Sequence, residues 1–199
     1  MLVLGVRQQL RHDLHRVAAG QAGFFTAAQA LEVGYSYQAQ KYNLDAQNWL
    51  RVDRGVFRVA SWPTGLHDDL VRWVLWSKHR AVVSHDSAAA AHRLGVLNPA
   101  KIHLTVPAGF RKKHDLVSLH RGDVPPDDVI TIDGAAITSV ARTVLDIVRT
   151  QFDEELIENV MRDALETGAF TRGHLERHLD TLKPKTRARA LRVMNRVEQ

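Results

Sequence analysis

Between Thr26 and Val59 the chain carries one pattern of punctuation that leaves few folds open. Thr26 stands before the helix-like stretch AAQALEV, which Gly34 closes, and Ser36 stands before a second stretch running towards Gln47. A hydroxyl in that position accepts hydrogen bonds from the first unpaired amides of a helix, and glycine tolerates the left-handed turn that ends one. Next come two β-like runs, Trp49-Leu50-Arg51-Val52 and Val56-Phe57-Arg58-Val59, joined by Asp53-Arg54-Gly55. A three-residue connection ending in glycine is a hairpin signal. Helices shorter than about 12 residues are marginal in water, so these pieces must pack on one another. A preceding stretch, Arg7 to Ala19, supplies the surface, with Leu10, Leu14 and Val17 at helical spacing.

The order helix, helix, tight turn, helix, hairpin predicts a winged helix-turn-helix over residues 1–62. In such a module the helix after the turn lies in the major groove and the hairpin forms a wing. Leu31, Val33 and Leu44 are expected to pack inward, as are Val52, Phe57 and Val59 of the hairpin. The predicted DNA contacts are Ser36, Tyr37, Gln38, Lys41 and Tyr42 around the reading helix, with Arg51, Arg54 and Arg58 on phosphates or in the minor groove. Gln pairs two-pronged with adenine, and Lys suits guanine or phosphate. Gln40 and Asn43 stand where an apolar residue is expected, which leaves the helix register open.

Trp62-Pro63-Thr64-Gly65 marks the predicted boundary with a second domain, residues 63–199. There the sequence predicts a helix over His67–Ser77, a strand at Ala81–Val83 and an alanine-rich helix capped by Ser84. Strands follow at Ile102–Val106 and Leu116–His120, then a hairpin around Asp133-Gly134. Helices at about Ser139–Arg149, Glu154–Glu166 and Arg172–Leu182 precede a last basic helix over 183–199. Helices and strands are segregated more than alternating, so the fold class is α+β.

Charge follows the same division. Residues 1–60 carry seven Lys/Arg against four Asp/Glu, residues 61–182 fourteen against seventeen, and residues 183–199 six against one. A basic head and a basic tail call for nucleic acid or an acidic partner. In the tail, Arg187, Arg189, Arg192 and Arg196 lie opposite Leu191, Met194 and Val197, and are candidates for partner binding. Cysteine is absent, and no stretch has the apolar length of a signal peptide or a membrane span, so a cytoplasmic protein without membrane contact is expected.

Catalytic signatures are missing: the sequence holds no HExxH, GxSxG, GxGxxG or GxxxxGK[ST], and its 11 histidines show no compact metal-ligand spacing. Ser84-His85-Asp86 has the letters of a hydrolase triad, but neighbours at a helix start do not converge as a relay requires; an N-cap is expected instead. Arg142 and Asp146, four apart behind Ser139, read as an intrahelical ion pair. Neither an enzyme nor a cofactor is expected.

The stretch GFFTAAQALEVGYSYQAQKYNLDAQNWLRVDRGVFRVASWP resembles the N-terminal winged helix-turn-helix of AbiEi-type antitoxins, through Phe25-Thr26, Gly34, Ser36 and Arg51 to Arg58. The likeness continues through Ser84 to Ala88, Ile102 to Pro107 and Thr138 to Asp146. It implies a repressor of its own operon that binds double-stranded DNA at inverted repeats, as paired protomers, and neutralises a cognate toxin of the nucleotidyltransferase kind. The segment ITSVARTVLDIV also resembles segments that precede a Vsr-like endonuclease domain. In those proteins the nuclease motif follows the helix corresponding to the one ending near Leu182, so the chain reaching only Gln199 is expected to be a non-catalytic form. The alternative is a protein-interaction module that binds a toxin without DNA.

Overall fold

The computed structural model describes residues 2–199, with side chains from Gly5 onward. Helix α1 (Leu2–Ala19) leads into a short strand, β1 (Phe24–Thr26), which the sequence did not announce because three residues are too few to alternate. Two short helices follow, α2 (Ala27–Val33) and α3 (Tyr37–Asp45), then the hairpin of β2 (Trp49–Asp53) and β3 (Val56–Val59) and helix α4 (Asp68–Trp76). The three strands form an antiparallel sheet in the order β1-β3-β2. Thr26 opens α2 with a full capping box: its hydroxyl accepts from the Gln29 amide at 3.1 Å, and the Gln29 side chain accepts from the Thr26 amide at 2.8 Å.

Leu14 and Ala18 of α1 close over Phe25, Ala30, Trp49, Phe57 and Val59, with the Phe25 and Trp49 rings edge to face at 4.8 Å. Val33 and Leu44 pack against this cluster, but Leu31 is 37% exposed. In α2 it is Ala30 that turns inward, so Leu31 does not pack as expected. Val52 is a second correction. A register irregularity between Arg51 and Asp53 puts Arg51, not Val52, opposite Phe57, so Arg51 lies on the same face of the sheet as Trp49 and Phe57.

Contacts divide the chain into two units, one running to Arg80 and including Thr131–Ala136, the other comprising Ala81–Ile130 and Ile137–Gln199. Helix α4 belongs to the first unit, since Asp68 pairs with Arg58 of β3 and Arg72 with Asp53 of β2. The punctuated stretch at 62–65 is thus an internal connection of that unit.

A five-stranded mixed sheet follows, most of it in the second unit, with Thr131–Ala136 counted in the first. Its strands are β4 (Val82–Val83), β5 (Ile102–Val106), β6 (Val117–Arg121), β7 (Val129–Ile132) and β8 (Ala135–Thr138), in the order β6-β5-β4-β8-β7. Helix α5 (His85–Ala91) follows β4. After β8 come α6 (Val140–Thr150), α7 (Glu154–Glu166), α8 (Arg172–Glu176) and α9 (Pro184–Val197). Val144, Ile147, Ile157, Val160, Met161, Phe170, Val193 and Met194 make the helical core of the second unit. The molecule is therefore mixed α and β, as the segregated pattern predicts. No helix among the described residues is long and apolar enough to cross a membrane.

Candidate nucleic-acid interface

The turn between α2 and α3 follows from two residues. Gly34 takes φ 113°, a left-handed value that glycine adopts without strain, and its neighbour Tyr35 returns a backbone bond to Ala30 at 2.9 Å. Ser36 then starts α3, its hydroxyl accepting from the Ala39 amide at 3.2 Å.

Gln40 settles the register of α3. It is 3% exposed, and its side-chain amide donates to the carbonyls of Ala27 at 3.1 Å and Tyr35 at 3.2 Å. A buried polar group with its partners supplied is stable where an orphaned one is costly. Asn43, half-buried, donates to the Ala39 carbonyl at 2.8 Å. With Gln40, Asn43 and Leu44 turned inward, the opposite stripe holds Tyr37, Gln38, Lys41 and Tyr42, all exposed, the two tyrosines by 72% and 68%. Lys41 reaches Asp45 at 2.7 Å, an exposed pair. Such a pair is worth only about 0.3–0.5 kcal/mol and is readily exchanged for a phosphate.

Ala27 ties the hairpin turn to this helix. Ala27, whose carbonyl accepts from Gln40, donates its own amide to the Gly55 carbonyl at 3.0 Å. Gly55, at φ 75°, closes the hairpin turn, where Asp53 accepts from the Arg54 amide at 2.6 Å. Arg54 is exposed at that tip. Arg51 is also exposed, its guanidinium 5.7 Å from the centroid of the Phe57 ring.

Arg58 departs from its expected role. It projects from the other face of the sheet, lies 5.0 Å from the Phe24 ring centroid, and binds Asp68 at 2.6 Å and the Pro63 carbonyl at 2.9 Å. Both side chains of the pair are only 14% exposed. Its partner arrives from α4, ten residues on, where no strand pattern points. Arg58 is a structural residue.

The four arginines of α9 are engaged as well. Arg192 and Arg196 bind Glu154 at 2.7 and 3.0 Å, Arg196 also binds Glu158 at 3.1 Å, and Arg187 binds Asp180 at 3.0 Å. Arg189 donates to the Val148 carbonyl at 2.8 Å. Arg192 and Arg196 thus dock α9 on the acidic face of α7 through exposed pairs, while Arg187 and Arg189 meet other elements.

In the second unit, Ser84 holds the N-cap position of α5 but its hydroxyl makes no cap bond. It accepts instead from the Thr105 hydroxyl at 2.7 Å and lies 2.9 Å from Nδ1 of His85. The His85 ring stacks on that of His120 at 3.5 Å, and His120 Nε2 is 3.2 Å from His103 Nδ1. Burial, with the neighbouring histidines and then Arg142 and Arg149 adding to it, lowers the pKa of His85 to about 3; burial and His103 lower that of His120 to about 4. Sequence reasoning missed this cluster because its members come from α5, β5 and β6. Among the described residues no group of three or more His, Cys, Asp or Glu side chains is arranged to hold a metal ion. Arg142 and Asp146 do form an ion pair, at 2.9 Å, with Asp146 buried and also reached by Arg149 at 3.4 Å. Burial raises the Asp146 pKa against the pull of the two arginines.

No protein-family model matches this chain, and no curated protein matches it. Among solved structures it is similar to the crystal structure of the RV2827C protein from Mycobacterium tuberculosis. The two are 12% identical with a TM-score of 0.62 over 94% of this chain and 76% of the other. That likeness is one of fold.

Proposed function

We propose that the protein is a cytoplasmic, winged helix-turn-helix repressor that binds double-stranded DNA, with α3 in the major groove and the β2–β3 hairpin as its wing. The reading is supported by the element order α1-β1-α2-α3-β2-β3. One observation carries it: Ala27 is bonded both to Gln40 of α3 and to Gly55 of the hairpin turn, so both elements are anchored on one residue while the stripe of α3 opposite Gln40 and Arg54 at the tip stay exposed. Tyr37, Gln38, Lys41 and Tyr42 read bases, while Arg51 and Arg54 position the backbone. Arg58 has no part in it.

The antitoxin half of the proposal rests on the resemblance to AbiEi-type proteins, with a nucleotidyltransferase-type toxin as the partner and the second unit as the neutralising part. The rival reading is a toxin-binding module without DNA contact. An electrophoretic shift with the protein's own upstream DNA tests the repressor half. Retention at protein concentrations that leave an unrelated duplex free is expected. Equal retention of both, or none at low salt, would remove it.

A further inference from the structure

A cavity of about 750 Å³ opens within the first unit between α1, α3 and the hairpin, a size that holds small molecules. Its α1 wall presents Arg7, Arg11 and His15, four residues apart and so stacked on one face of the helix. The buried Leu14, Trp49 and Val59 line its apolar side, and Tyr35 meets Trp49 edge to face at 5.0 Å. Asn43 and Asn48, bonded to each other at 3.1 Å, add a polar edge.

Charge is what this cavity leaves unbalanced. No carboxylate lines it. Among the described residues neither Arg7 nor Arg11 has an ion-pair partner, whereas Arg58, Arg142 and Arg172 each meet a carboxylate. An inorganic anion would satisfy the guanidiniums and leave the aromatic side empty. A neutral ring would do the reverse.

We propose that this cavity binds a small, flat aromatic anion, its ring against Leu10 and Tyr35 and its carboxylate or phosphate on Arg7 and Arg11. Guanidinium pairs bind either group in two-pronged fashion. The inference stands apart from the DNA-binding reading, because its test uses the protein alone.

The full chain is titrated with 2-naphthoate, with adenosine 5′-monophosphate and with neutral 2-naphthalenemethanol, following backbone amide shifts by NMR. Saturable shifts at Tyr35, Asn43 and Trp49 are expected with at least one anion, and which anion gives them distinguishes a carboxylate ligand from a nucleotide. Binding of the neutral alcohol should be weaker by about tenfold or more, and so should anion binding by the Arg7→Gln/Arg11→Gln variant. No saturable shift with either anion, shifts confined to residues outside the cavity, or equal binding of the neutral alcohol would overturn the proposal. The comparison of probes needs no variant, so it decides even where the double substitution fails to fold.

Discussion

Two arginines in one hairpin have opposite surroundings. Arg54 is exposed at a turn whose backbone is already satisfied by Asp53. Arg58 is enclosed between Phe24, Pro63 and Asp68. Removing one partner of a mostly buried pair leaves the other charge uncompensated, at a cost of about 3 kcal/mol. Arg58→Ala should therefore lower the urea midpoint markedly. An unchanged midpoint would show that the pair contributes nothing.

At the scale of the element, α3 shows both what a single sequence discloses and what it hides. Its start was legible, since Ser36 has the one side chain there able to accept from Ala39. Its inner face was not, because Gln40 is polar and its partners, the carbonyls of Ala27 and Tyr35, appear only once α2 has folded beside it. Gln40→Leu leaves those two carbonyls without their donor. It should cost about 1–3 kcal/mol, read as a lower thermal midpoint; a gain in stability would mean the buried amide is not anchoring α3. Helix α9 gives the same lesson at longer range. Its amphipathic pattern was plain, but the acids it meets, Glu154 and Glu158, lie about forty residues earlier on α7, and no local pattern links them. Arg192→Ala/Arg196→Ala should leave DNA affinity and its salt dependence unchanged in a binding titration, whereas a shallower salt slope would return the tail to the interface.

Over the whole molecule, the two histidines whose pKa values fall furthest, His85 and His120, both lie in the second unit. His85 stays neutral in the folded protein down to about pH 3, while the unfolded chain takes up that proton near pH 6.5. Between those values the unfolded state holds more protons, so stability falls as pH falls, and the loss levels off below about pH 3. His120, lowered to about 4, adds to the same trend. Asn tolerates the positive φ of 51° at position 85, so His85→Asn is the variant of choice. Its urea midpoint should depend less on pH between 6.5 and 4 than that of the wild type; parallel curves would show that His85 is not the sensor.

The most direct test of the account compares the salt dependence of binding to the protein's own upstream DNA for the wild type, Arg54→Ala and Arg58→Ala. Loss of one phosphate contact shallows the slope of log K against log salt by about one unit. Arg54→Ala should show that change, and Arg58→Ala should keep the wild-type slope. Equal slopes for wild type and Arg54→Ala, or a change confined to Arg58→Ala, would contradict a duplex held jointly by α3 and the hairpin tip.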